Sequence, residues 1–258
     1  MPPETQTTLQ RRAAASVLQP SSHLPGPHHT SYSGKRRNYF AKCGIDSVAV
    51  LALAATVLPV AFMATSAAAQ LVAPLALPDG RIACTQGKTG AGRVTAWEAV
   101  REPSAPGGWA LSETAGDATD LRFALCISEQ TVARDLDATL RFKAVGGSHS
   151  RAAGLVLRAQ SANDYYVIRA DALEGSVRLY RVARGRRAQI AARDVAVASD
   201  RWHALRVILK GSDFEVFLDD ALLFEASDAS LPQPGAVGVW SQADSIILFG
   251  SLLVAPPP

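Results

Sequence analysis

An all-β sandwich or barrel is the fold predicted for the chain beyond about residue 78, on three observations. From Val94 onward apolar residues alternate with polar ones in short runs. Gly, Asp, Ser or Pro breaks each run at regular intervals. Helical periodicity and helix caps are nearly absent.

In chain order, residues 1–69 stand apart. Residues 1–46 are poor core material and end in the basic cluster Lys35, Arg36, Arg37 and Lys42. Val48 to Phe62 then carries no charge and is followed by the small residues Ala67, Ala68 and Ala69. A basic flank, an apolar stretch of about 7–15 residues and a small-residue site define a secretory signal peptide. The expectation is a disordered leader plus signal over 1–69, cleaved after about Ala69, and an exported (periplasmic or extracellular) product. An uncleaved anchor is the alternative. The apolar run is shorter than the roughly 20 residues of a membrane span, and Pro59 interrupts it. Residues 70–77 read as a short linker and 78–255 as the sandwich.

Within that domain, residues 136–145 place Leu136, Ala138, Leu140 and Phe142 on one face. Strands follow at 152–160, 164–172, 175–183 and 187–195, joined by turns at 161–164, 173–175 and 183–187. The segment 200–226 holds three short strands. Leu205, Val207 and Leu209 alternate in the first, and Phe214, Val216 and Leu218 in the second. Asp219-Asp220 takes the place where Asn-Gly closes a two-residue hairpin, and Asp tolerates the left-handed backbone this turn needs. Residues 235–243 and 245–254 finish the domain.

Charge and cysteine narrow the function classes. Residues 1–69 hold six of the 26 basic residues and two of the 23 acidic ones, which leaves 20 and 21 in the rest, a net charge of −1. Nucleic acid is not an expected partner, because phosphate binding needs clustered positive charge. Cys84 and Cys126 remain beyond the leader, and an oxidising compartment favours their pairing; two buried thiols is the alternative.

The motifs Gly-Leu-x-Leu-Arg (154–158), Asn-x-Tyr-Tyr-x-x-Arg (163–169), Trp-His-x-Leu-x-Val (202–207), Val-Gly-Val-Trp (237–240) and Ala-Asp-Ser (243–245) together resemble the 3-keto-disaccharide hydrolase domain family. That family belongs to the concanavalin A-like lectin/glucanase superfamily, whose jelly-roll sandwich is shared by laminin G-like and glucanase domains. The resemblance runs from about Ala152 to Val254. It implies a concanavalin A-like jelly-roll β-sandwich with a concave, ligand-facing sheet. Activity does not follow from the fold.

By period two, Leu155, Leu157, Tyr166, Ile168, Val177 and Leu179 share the core face. Val156, Arg158, Tyr165, Val167, Arg169, Arg178 and Tyr180 share the other, which the resemblance makes the concave one. Aromatic faces cover sugar C–H patches and guanidinium groups donate fixed hydrogen bonds to hydroxyls. Arg158, Tyr165, Arg169, Arg178 and Tyr180 are therefore the candidate carbohydrate-binding residues. A solvated outer face whose arginines pair with Asp137, Asp164 or Glu174 is the alternative.

Classical retaining hydrolysis is not expected. Glu215 and Asp219 share a face but lie roughly 13 Å apart at strand spacing, where about 5 Å is needed. The resemblance implies instead abstraction of the C2 proton beside a 3-keto group, with expulsion of the oxygen at C1. Arg158 or Arg169 would hold the enolate charge, and His203 or Asp137 would be the base. His203 also reads as a hydrogen-bonded spacer, since it alternates with Leu205 and Val207. Trp109, Trp202 and Trp240 fit core or core-rim positions, and Arg184 to Arg187 a solvated hairpin tip. No cofactor is demanded by the sequence; Asp244 is the candidate for a structural or catalytic calcium, or for a turn cap. The expected function is carbohydrate recognition by an exported monomer with no membrane contact after signal cleavage. A 3-keto-glycoside hydrolase or lyase and a non-catalytic envelope interaction module are the alternatives.

Overall fold

Two antiparallel sheets carry the chain. The computed structural model describes residues 70–72, 79 and 81–258; the signal peptide expected over 1–69 lies outside the described residues. The strands are β1 (Gln70–Val72), β2 (Thr85–Gly90), β3 (Trp97–Arg101), β4 (Trp109–Glu113), β5 (Arg122–Ala133), β6 (Leu136–Gly146), β7 (Ala152–Ser161) and β8 (Asp164–Asp171). They continue as β9 (Ser176–Ala183), β10 (Arg186–Asp194), β11 (Trp202–Lys210), β12 (Asp213–Leu218), β13 (Ala221–Ser227), β14 (Gly235–Gln242) and β15 (Ile246–Ala255). The back sheet runs β13-β12-β11-β6-β15-β4-β3, and the front sheet β10-β9-β8-β7-β14-β5-β2. Successive strands β5, β6 and β7 cross between sheets, as do β13, β14 and β15. These crossovers give an all-β jelly-roll sandwich of concanavalin A-like architecture.

The stretch expected to begin as a linker begins as a strand. β4 pairs with β15 only at Phe249, opposite Leu111. That leaves one side of the β15 backbone open at 252–254, and β1 pairs there. Unpaired backbone groups inside a sheet are costly, so the added strand satisfies them.

The main core lies between the sheets. Leu136, Leu140, Phe142, Leu205, Val207, Phe214 and Val216 from the back meet Leu155, Leu157, Tyr166, Ile168, Leu179 and Val239 from the front. These are the alternating positions read from the sequence. At the β12–β13 turn Asp219 (φ 49°) and Asp220 (φ 66°) both adopt the positive φ that a two-residue type I′ hairpin requires.

The outer face of the front sheet departs from a wet sheet surface. A second apolar cluster sits there, built on Phe123, Leu125, Val156, Tyr165, Val167, Tyr180, Val182 and Trp240. Strands β7, β8 and β14 are consequently buried at nearly every position. The sheet curls to achieve this. The Thr89 hydroxyl on edge strand β2 donates to the Ala162 carbonyl in the β7–β8 turn. Gly185 N, in the β9–β10 turn, donates to Asn163 O at 2.9 Å. Both hairpin tips therefore fold over toward β2, at the opposite side of the sheet. Gly154 makes room beneath them, since a Cβ there would lie 2.9 Å from both the Cβ and ring of Trp240.

Candidate functional site

The concave face is where sugar-stacking aromatics were expected, and the structure buries them. Tyr165 is fully buried, and its hydroxyl shares a 2.9 Å hydrogen bond with Thr89. Burial pushes this hydroxyl up, against the opposing influence of Thr89 and the nearby Trp240 indole. Trp240 stacks on Phe123 with ring centroids 5.3 Å apart. Tyr180 is also buried, under the Arg187 guanidinium at 4.5 Å. The interleaved valines 156, 167 and 182 explain the difference: with them the face is apolar enough to dehydrate. Tyr165 and Tyr180 form a packed second core, not an open platform.

The arginines divide into three situations. Arg169 is buried, and Asp171 and Glu174 hold it. Burial opposes its charge, yet these two carboxylates raise its basicity above the ordinary guanidinium. Arg178 is partly exposed and pairs with the same Glu174. These two are cross-strand partners on the outer face of the front sheet.

Arg158 does not. Its backbone has φ 48°, and the β7–β8 register shifts between Leu157 and Ser161. The bulge breaks the alternation and turns the side chain toward the end of the sandwich. There Nε donates to Arg134 O at 2.7 Å, one Nη to Leu231 O at 3.1 Å and the other to Gly211 O at 2.6 Å. Asp135 lies 3.3 Å away. Arg158 ties two turns and the segment before β14 together and is removed from the candidate binding residues.

The proposed bases also sit elsewhere. His203 is buried on the back sheet, with Nδ1 2.7 Å from an Asp219 oxygen and Nε2 3.0 Å from Ala198 O. Both nitrogens are occupied, which is the spacer role. Asp137 lies on the outer side of the back sheet and pairs with Arg206 through two contacts, at 2.8 and 2.5 Å. Neither meets Arg169, so the base and the enolate holder required for C2-proton abstraction do not converge. The third arginine situation is Arg187, which the sequence placed at a solvated tip. Its partner across β9 is Val182, so it shares the outer face and turns inward over Phe123 and Tyr180. That parity was readable in the sequence.

Asp244 caps the 147–150 turn. Its oxygens accept from Ser148 N at 2.8 Å, the Ser148 hydroxyl at 2.7 Å, His149 N at 3.0 Å and Ser150 N at 3.2 Å. Burial works against its charge, but these donors outweigh it and hold the carboxyl well below the usual range. Oxygens facing N–H and O–H donors form a turn cap, not a calcium shell. Among the described residues, no group of three or more His, Cys, Asp and Glu side chains is placed to hold a metal. Cys84 and Cys126 form a disulfide with Cα atoms 5.3 Å apart. Trp202 is held at the back-sheet rim by a 2.9 Å bond from its indole N–H to the Ser104 hydroxyl, and Arg101 lies 4.7 Å over the Trp109 ring.

One open feature of the front sheet is a cavity of about 300 Å³ under the arch of the β7–β8 hairpin. Ile127, Ala159 and Ala236 contribute apolar surface. Thr85, Gln86, Gln160 and Ser161 contribute hydroxyl and amide groups, and Gly87 and Ala162 contribute backbone. No ionisable side chain lines it. No residue in it had been singled out from the sequence, because it is assembled from four separate strands and a turn.

No known family model matches this chain. No curated protein matches it either. Among solved structures it is similar to the carbohydrate-binding module CBM66 from Bacillus subtilis at 20% identity and TM-score 0.48, over 55% of this chain and 84% of that one. It is similar to a Bacillus subtilis protein of unknown function with a galectin-like fold at 10% identity and TM-score 0.48, over 67% and 90% of the two chains. It is similar to the laminarinase from Rhodothermus marinus at 10% identity and TM-score 0.43, over 65% and 80%. The sandwich architecture itself is read from the strand pairing of this chain.

Chemically, a pocket of neutral donors and acceptors over a small apolar floor can bind a hydroxylated ligand. None of its lining side chains is a carboxylate, imidazole or amine that could serve as general acid or base.

Proposed function

We propose that this chain is an exported, non-catalytic carbohydrate-binding module that takes a neutral sugar unit at the rim of its concave front sheet. The observation that carries this reading is the cavity under the β7–β8 hairpin. Its volume is at the lower end of ligand pockets, and its lining alternates apolar surface with uncharged hydrogen-bonding groups. Sugar rings present the same mixture of C–H and hydroxyl surface. The Cys84–Cys126 disulfide supports a working life in an oxidising compartment. The family that the sequence resembles, the 3-keto-disaccharide hydrolases, would supply the alternative of an enzyme. The residues expected to perform that reaction are held in structural contacts on two different sheets.

The test is a neutral-oligosaccharide array probed with the full chain, followed by calorimetry on the best ligand. Ala236→Phe fills the cavity from its floor. The expected result is at least a tenfold loss of affinity at unchanged melting temperature. An array without a single neutral ligand, or undiminished binding by the filled variant, overturns the reading.

A further inference from the structure

The remaining feature of the front sheet is Arg187. The buried arginines of the described residues each have a carboxylate: Arg122 has Glu113, Arg158 has Asp135, and Arg169 has Asp171 and Glu174. Arg187 is half-buried and, among the described residues, has no carboxylate within 4 Å. Its guanidinium carbon lies 4.6 Å from the Phe123 ring centroid and 4.5 Å from that of Tyr180. One long contact, 3.5 Å to the Gln242 side-chain oxygen, is its hydrogen bond to the protein. Asp120 acts on it only from beyond ion-pair distance.

Stacking engages the π-surface of the planar group and leaves its N–H edges for a partner in the plane. Burial pushes this guanidinium down, and the charge of Arg169 acts in the same direction. Desolvated cations in proteins are ordinarily paired. Nearby on the same face, Nε of Arg169 is also buried without an acceptor. The front sheet thus holds a fixed cation and a second spare donor, with no acid in contact with Arg187. A planar fork of N–H donors matches a carboxylate in particular.

We propose that Arg187 forms an anion subsite on the concave face and takes the carboxylate of an acidic sugar residue. The ligand class rests on the carbohydrate-binding reading; the anion subsite rests on the Arg187 geometry alone. A free small carboxylate offers the same chemistry, so the test includes one.

The full chain is titrated with trigalacturonate, with its neutral counterpart trigalactose, and with acetate. Trigalacturonate is expected to bind at least tenfold tighter than trigalactose at low salt. Arg187→Gln is expected to erase that preference, whereas Arg186→Gln, an equal loss of charge at an exposed neighbour, retains it. Arg187→Lys keeps the charge without the planar fork and falls between; it also serves if Arg187→Gln does not fold. Equal affinity for the two trisaccharides, or equal losses in the Arg186 and Arg187 variants, overturns the proposal. If neither glycan binds, an acidic galactose-type sugar is excluded as the ligand, and the carbohydrate reading is decided by the neutral array. A saturable acetate-induced shift of the Arg187 Nε–Hε signal in NMR then retains the anion subsite, and its absence removes it.

Discussion

Replacing Arg158 by alanine tests whether this residue is structural or belongs to a binding face. The side chain is fully buried and donates to the carbonyls of Arg134, Gly211 and Leu231. Those carbonyls belong to the β5–β6 turn, the β11–β12 turn and the segment before β14. Truncation leaves three acceptors without their charged donor, at about 1 kcal/mol each if water partly replaces it. Loss of the buried aliphatic stem adds about 2 kcal/mol. The expected destabilisation is therefore about 5 kcal/mol, comparable with the whole stability of a marginal domain. Arg158→Lys, which keeps one donor and most of the stem, should cost about half as much. Urea unfolding of the three proteins gives the values, with the midpoint moving and the slope held. A loss below about 1.5 kcal/mol in the alanine variant, accompanied by loss of glycan binding, would refute the argument and return Arg158 to the site.

Other expected outcomes concern the disulfide and the Asp244 cap. Cys84 and Cys126 are 42 residues apart, so reduction should lower stability by about 4 kcal/mol in the chain-entropy picture; an unchanged melting temperature in reductant would contradict this. Asp244→Asn should cost about 1–2 kcal/mol at neutral pH, since an amide cannot accept all four donors. Because the folded Asp244 carboxyl is held below its unfolded value, its stabilisation is complete above about pH 5 and fades as pH falls through about 4. The gap between wild type and Asp244→Asn should close with acid. A gap constant from pH 7 to 3 would show that the charge of Asp244 is irrelevant.

The strands and the main core were legible because period-two alternation survives wherever one face is dry and the other wet. The run at 136–145 and the Asp219-Asp220 turn are examples. The front sheet was less legible for two physical reasons. One is the bulge at Arg158: a positive φ at an arginine has no sequence signature, and the interruption ends the alternation that placed the residue on the concave face. The other is that a face mixing Tyr and Arg was read as wet, although Val156, Val167 and Val182 on the same face argued for a dry one. The cavity lining was invisible, because Thr85, Ile127, Gln160 and Ala236 meet only when the sheet curls.

A sheet with an interior on both sides separates the chain into positions that can evolve and positions that cannot. A substitution almost anywhere along β7, β8 or β14 meets a neighbour, as at Gly154, where a single added carbon would press on Trp240. Room for a change of side chain is then confined to the hairpin tips and the β2 edge. Amide exchange should show the same boundary: slow through the three central strands, and fast along the tips.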